Sequence, residues 1–131
     1  MNDVVVDTDV ASYMFILHPL GERYMEALDG FNRILSFMTV AELRAGAFIA
    51  EWGGRRRADL ERFIRDFDIF YPDNDACTLW ARLRAESQAI GRTLTPQDAW
   101  VAATALAIDA PLATNNRRDF QHIRQIRLVS S

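Results

Sequence analysis

Lysine is absent from this chain of 131 residues: all fifteen basic residues are Arg. Eighteen acids bring the net charge to −3, so no global positive field draws the chain toward nucleic acid or an anionic membrane. Any grip on a polyanion has to be local and made by guanidinium groups. Cysteine is reduced to Cys77, which excludes an internal disulfide and fits a reducing compartment. His18 and His122 are the only histidines, too isolated to form a ligand pair. No apolar run reaches the length of a membrane span, and no charged-then-apolar segment precedes the first strand pattern. The expectation is a cytoplasmic protein without membrane association, one domain over residues 1–131 with a sizeable core.

What is present starts at Asp3-Val4-Val5-Val6-Asp7-Thr8-Asp9. Three consecutive β-branched residues predict a strand buried on both faces. It stops in acid-Thr-acid, and open α/β sheets bind ligands beyond the carboxyl ends of their strands. Val10, Tyr13, Met14 and Leu17 then predict a short helix capped by Thr8 or Asp9. Pro19 to Leu28 predicts a second helix, closed by Asp29-Gly30. Residues 33–38 read as strand two, ending at Thr39-Val40-Ala41-Glu42, after which a helix runs to Trp52. Gly53-Gly54 breaks it, Arg55-Arg56-Arg57 opens the next, and the pair reads as a helical hairpin protruding from the sheet. Residues 69–71 predict strand three and Asp73-Asn74-Asp75 a cap. A long helix then ends at Gly91, and a helix opened by Thr95-Pro96 is apolar almost all round from Ala99 to Ile108. Residues 111–114 predict strand four, Asn115 to Phe120 a loop, and residues 126–129 a last strand. Alternating strands and helices give an α/β fold: a mostly parallel sheet of four or five strands with helices on both faces.

Four acids fall near strand ends or in the loops beyond them: Asp7, Glu42, Asp98 and Asp119. A parallel sheet brings such positions to one rim despite their spacing. Clustered carboxylates repel one another and are expensive to bury unpaired; a divalent cation resolves that cost. Oxygen-only ligands favour Mg²⁺ or Mn²⁺ over Zn²⁺. Each acid also has a structural explanation. Thr39-x-x-Glu42 and Thr95-x-x-Asp98 match capping boxes, Asp7 or Asp9 suits a helix cap, and Asp119 a solvated loop. Their conjunction, with Thr114-Asn115-Asn116 adding a hydroxyl and two amides at the same edge, shifts the balance toward chemistry.

Val4-Val5-Val6-Asp7-Thr8, Thr39-Val40-Ala41-Glu42-Leu43, Thr95-Pro96-Gln97-Asp98-Ala99-Trp100-Val101-Ala102-Ala103 and Leu112-Ala113-Thr114-Asn115-Asn116-x-x-Asp119-Phe120 together resemble the four blocks of PIN-domain ribonucleases. Chain length and the hairpin resemble the VapC-type toxins of bacterial toxin–antitoxin pairs. The resemblance implies a three-layer α/β/α fold and a Mg²⁺- or Mn²⁺-dependent endoribonuclease that arrests growth by blocking translation. It places Asp7, Glu42 and Asp98 as metal-binding acids. Asn116 stands where the family often has a fourth acid, and Asp119 is the alternative, acting through water. Asp9 is an additional acid beyond the direct ligands. Thr8, Thr114, Asn115, Arg117 and Arg118 flank the site as substrate contacts, the arginines suiting phosphate oxygens. The implied partners are RNA, a VapB-type antitoxin and a second copy of the chain within a larger assembly.

The remaining features read as structure. Cys77, Trp80 and Trp100 suit the core, and Arg55-Arg56-Arg57 a solvated helix start. Phe48, Ile49, Phe63 and Phe67 are more apolar surface than one hairpin needs, and Trp52 joins them as an interface candidate; the resemblance assigns that surplus to antitoxin binding and self-association. Two rivals stand beside this reading. Asp7-Thr8-Asp9 also resembles the nucleophile motif of haloacid-dehalogenase-type phosphatases, but that family's downstream Lys has no counterpart and Ala11 stands where it carries a hydroxyl. The second is a catalytically inactive PIN-like binding module, which Asn116 favours and the three intact acids oppose.

Overall fold

Val4, Val5 and Val6 are fully buried because their strand lies in the middle of the sheet. In the computed structural model, which describes residues 2–131, the strands are β1 (Asp3–Val6), β2 (Asn32–Ser36), β3 (Asp68–Phe70), β4 (Leu112–Ala113) and β5 (Leu128–Val129). All are parallel, in the order β3-β2-β1-β4-β5. The helices are α1 (Thr8–Phe15), α2 (Pro19–Ala27), α3 (Phe37–Ile49), α4 (Gly54–Arg65), α5 (Asn74–Ala89), α6 (Pro96–Ala107) and the single turn α7 (Arg117–Phe120). Val4, Val6 and Leu35 face a core built with α1 to α4; Val5, Ile34 and Leu112 face another built mainly with α5 and α6. This is the expected three-layer α/β/α arrangement, with α3 and α4 as the hairpin, bridged by Arg44 and Glu61 at 2.8 Å. Among the described residues no helix is long and apolar enough to cross a membrane.

Several local expectations change. Strand two stops at Ser36, whose hydroxyl accepts from Met38 N at 3.2 Å and starts α3. Phe37 and Met38 are therefore helical, and Thr39 is inside the helix rather than its cap. The Thr39–Glu42 capping box is not formed. The Thr95 cap is formed, its Oγ1 accepting from Asp98 N at 3.1 Å. α1 is capped by Asp7 and not by Thr8 or Asp9. α3 ends at Ile49, before Trp52, with Glu51 at φ 56° in the turn. The stretch from Asn115 to Phe120 contains α7, and strand pairing in β5 begins only at Leu128. Cys77 is exposed on α5, and Trp80 and Trp100 are only partly buried. Phe67 is buried and Phe63 half-buried, each ring edge-on to its neighbour. Only Phe48 and Ile49, 64% and 82% exposed, project from the hairpin as the surplus suggested.

Gly21 sets the distance between α1 and α2. A Cβ there would lie 2.3 Å from the backbone oxygen of Tyr13, so only glycine allows the approach. α2 in turn carries Tyr24, fully buried, whose hydroxyl donates to Thr114 O at 2.9 Å, just past β4. The close helix contact thus reaches the sheet edge where the acids lie. Gly21→Ala should cost about 1–3 kcal/mol as overpacking against backbone that cannot yield. A thermal melt should show a midpoint lower by roughly 3–10 °C.

Candidate active site

The carboxyl ends of β1, β2 and β4 open on one rim, and each delivers polar groups to it. Asp7 leaves β1 with its backbone N–H on Ala113 O at 2.9 Å. Its side chain, only 5% exposed, is held from two sides. Oδ1 accepts from Thr8 N at 2.8 Å, and Oδ2 accepts from the hydroxyl of Thr114 at 2.7 Å. Thr114 is fully buried and its Oγ1 also accepts from Asn116 N at 3.0 Å. The hydroxyl therefore faces Asp7 rather than any substrate.

Glu42 reaches the rim from the second turn of α3. Its Oε1 accepts from the Thr8 hydroxyl at 2.8 Å, and Thr39 Oγ1 lies 3.0 Å from the same hydroxyl. Asp98 stands in the first turn of α6. Asp9 sits in the first turn of α1; one oxygen accepts from Val10 N at 2.7 Å and the other from Asn115 N at 3.3 Å. Asp119, Arg117 and Arg118 project from α7 and are exposed, as are Asn115 and Asn116. Asn115 Oδ1 also lies within reach of the Tyr24 hydroxyl, at 3.3 Å.

The acids share one field. Burial, then the negative charge of Asp9 and more weakly that of Asp98, raise the Asp7 carboxyl to about 7. Burial and the charges of Asp119, Glu42 and Asp9 raise Asp98 to about 6. Asp9 is raised as well, chiefly by burial. Among the described residues no ion pair joins them to a cation. The ion pairs among the described residues join Arg44 to Glu61, Arg62 to Asp59 and Arg127 to Asp109, all away from this rim. Tyr24, Thr39 and Ser36 are the supporting residues that periodicity did not single out. Tyr24 reads as one more apolar position of a helix stripe, and nothing in its spacing marks the hydroxyl as a ligand of Thr114.

Residues 4–126 match the PIN domain family model. The chain belongs to the PIN-domain family. It is 34% identical to ribonuclease VapC5 of Mycobacterium tuberculosis over 86% of this chain and 82% of that one. A DNA-bound VapBC structure from Salmonella typhimurium superposes with a TM-score of 0.83 at 25% identity, covering 98% of both chains. A member of the VapBC family of toxin–antitoxin systems from M. tuberculosis superposes with a TM-score of 0.72 at 25% identity over the whole of both chains. The phosphatase-like reading of Asp7-Thr8-Asp9 gives way to this PIN-domain membership.

The donor set can be tested against a metal directly. Among the described residues no three His, Cys, Asp or Glu side chains converge closely enough to grip one ion. Zn²⁺ and Ca²⁺ prefer such cages. Mg²⁺ keeps several waters and binds through one or two carboxylates together with substrate phosphates. Spread, unneutralised oxygen donors fit the second pattern.

The PIN-domain rim therefore carries a pH signature of its own. Asp7 ionises near 3.8 when unfolded and near 7 when folded, so between those values the folded state holds the extra proton. Stability from this group is present below about pH 4 and is lost as pH rises through 7. Asn mimics the protonated carboxyl. In EDTA, the lead of Asp7→Asn over the wild type should be small near pH 4, widen by roughly 5–10 °C in melting temperature between pH 5 and pH 7, and level off above pH 8. A wild type that gains stability over that interval relative to Asp7→Asn would contradict the assignment.

Proposed function

We propose that the protein is a metal-dependent endoribonuclease and the toxin of a toxin–antitoxin pair, arresting growth by cutting RNA that translation needs. The observation that carries this reading is the meeting of Asp7, Glu42 and Asp98 in one field without a counter-cation, although they come from three elements. Structural ion-pair networks supply the opposite charge; this rim leaves it to be supplied by a ligand. The ribonuclease name of the M. tuberculosis relative supports the substrate class.

Asp7, Glu42 and Asp98 would hold Mg²⁺ or Mn²⁺ together with water and substrate phosphate, not as a closed cage, with Asn116 and Asp119 bordering them. A bound divalent ion would generate the attacking hydroxide and neutralise charge developing on the phosphate. The protein's own part is to fix the carboxylates. Thr114 and the Thr8 amide hold the two oxygens of Asp7, while the Thr8 hydroxyl turns Glu42 toward the same rim. Arg117 and Arg118, exposed beside Asp119, would take phosphate oxygens of the strand on either side of the cut.

Glu42→Gln and Asp98→Asn keep the size and hydrogen-bonding ability of each side chain and remove the charge. Both should fold as well as the wild type, lose the rise in melting temperature that Mn²⁺ gives the wild type, and lose at least about 100-fold in RNA cleavage. EDTA should abolish wild-type cleavage and Mn²⁺ restore it. Near-normal cleavage by both variants would return these acids to a structural role. A wild type that cleaves nothing with Mn²⁺ would leave the inactive binding module as the better account.

The antitoxin has a place to dock. A cleft of about 720 Å³ runs between the end of α1 and α4, with an apolar wall of Met14, Phe15, Met25 and Phe63. Arg33, Arg62 and Arg65 line it against the single acid Asp66, and Arg33 Nε is buried without a partner. This complements an amphipathic segment that brings apolar side chains and carboxylates. The VapBC complexes of similar fold support an antitoxin as its owner. Leu17, at φ 57°, and Met25 are exposed at its edge, so Leu17→Asn with Met25→Glu leaves the core intact. Co-purification with the neighbouring reading frame should fail for that pair and survive Phe48→Glu with Ile49→Glu. The reverse outcome would move the docking site to the hairpin.

A further inference from the structure

Two residues beyond Asp98 a row of rings leaves the acidic rim. Trp100 of α6 meets Phe37, the first residue of α3, edge-on with centroids 5.1 Å apart. On Trp80 of α5 it stacks at 5.4 Å with the planes 25° apart. Trp80 Nε1 donates to Pro96 O at 3.1 Å, which ties the second indole to the helix that carries Asp98. The Arg84 guanidinium lies over Trp80, 5.5 Å from its centroid, and its Nη1 is buried without a hydrogen-bond partner. Arg84 and Arg92 also share a cleft of about 270 Å³. Tyr71 continues the row along the rim. Ser36 and Phe70 are paired in register, so Phe37 and Tyr71 leave neighbouring strand ends, and Tyr71 is 73% exposed.

A core margin accounts for one or two of these features and not for the set. Phe37, Trp80, Trp100 and Arg84 all keep part of their surface exposed, so the rings are backed by the core without being enclosed in it. An arginine with an unmatched donor is a cost that a buried structural cluster would avoid. Tyr71 is largely exposed, and among the described residues no aromatic ring supports it. What the set offers is flat π-surface and guanidinium next to a centre that handles phosphates.

We propose that Phe37, Trp100, Trp80 and Arg84, extended by Tyr71, form a stacking track for the nucleobases that flank the scissile phosphate. The inference rests on the ribonuclease reading and deepens it. Carboxylates and a cation recognise only the backbone; the bases must be held elsewhere. Bases splayed from a single strand stack on aromatic rings and on guanidinium planes, whereas an A-form duplex keeps its base faces covered. Arg84 and Arg92 then supply charge for the backbone leaving the track, and an incoming acceptor satisfies the free donor of Arg84.

The test uses the full chain with Mg²⁺ and a fluorescein-labelled 12-nucleotide oligoadenylate, alone and annealed to oligouridylate, with cleavage of total cellular RNA followed in parallel. The wild type should bind the single strand at least about tenfold more tightly than the duplex, and Trp80→Leu and Tyr71→Ser should each weaken single-strand binding by about fivefold or more. In cleavage these variants should raise KM and leave kcat largely intact, and Trp80→Phe, which keeps a ring, should recover most of the loss. Equal affinity for strand and duplex overturns the track, and so does wild-type binding by Tyr71→Ser together with Trp80→Phe no better than Trp80→Leu. Tyr71→Ser alters an exposed side chain, so its result stands even where Trp80→Leu misfolds. A wild type that binds the strand through these rings but cuts no cellular RNA supports the track and refutes the nuclease. Cleavage without any single-strand preference does the opposite.

Discussion

Repulsion among the rim carboxylates is the constraint around which the rest of the molecule is arranged. Asp7 is buried at the end of the central strand, and burial and its acidic neighbours both favour its protonated form. Against that, the protein provides two hydrogen bonds, from the Thr8 amide and the Thr114 hydroxyl. They hold the carboxylate in place without neutralising it. A fold selected for stability alone would put an arginine there or an apolar residue; fifteen arginines are available, and among the described residues none forms an ion pair with these acids. Local instability concentrated at one site is what a protein retains when the site has to attract a ligand of opposite charge.

That constraint explains why so much polar structure is devoted to supports. Thr114 is fixed by two neighbours, the Asn116 amide on its hydroxyl and the Tyr24 hydroxyl on its carbonyl. Tyr24 is placed by α2, and α2 by the glycine that lets it touch α1. The chain of contacts runs from the α1–α2 contact to the oxygen of Asp7. It crosses 107 residues of sequence in its last step, Thr114 to Asp7, which a parallel pairing of β1 with β4 makes a matter of a few ångströms.

The sequence pattern carried most of the architecture because the signals were local and strong. Three valines can hardly be anything but a buried strand, and Thr95-Pro96 with an apolar run behind it starts a buried helix. The four acids were legible as a set because each follows a strand or opens a helix. The misreadings have one origin: the competing signals differ by one hydrogen bond. Ser36 and Thr39 are both good caps, and the choice between them depends on where β2 loses its partner. Nothing in the residues at 115–120 distinguishes a loop from a single helical turn. Phe63 and Phe67 read as surplus because a stripe does not say which of its rings meet other rings and which meet solvent. Cys77 shows the limit most plainly, since a small residue on a helix is placed by the helix's rotation and not by its own preference.

The two faces of the sheet then divide the work. On the α1–α4 side lies the cleft rimmed by Arg33, Arg62 and Arg65; on the α5–α6 side lie the stacked indoles and Arg84. The acids sit at the seam, where β1 and β4 end between the two layers. With a net charge of −3 the chain has no general attraction for a polyanion, so in the proposed nuclease approach would be governed by what occupies the seam. In that nuclease the five acids alone would repel a phosphate backbone, and with a divalent ion bound the same acids would hold the charge that attracts it. Arg117 and Arg118 flank the acids without pairing to them, which would keep that dependence intact. A lysine or arginine among the acids would stabilise the fold and admit polyanions without metal. In the proposed nuclease a metal ion among these acids, rather than an ion-paired arginine, would then decide when the backbone can enter.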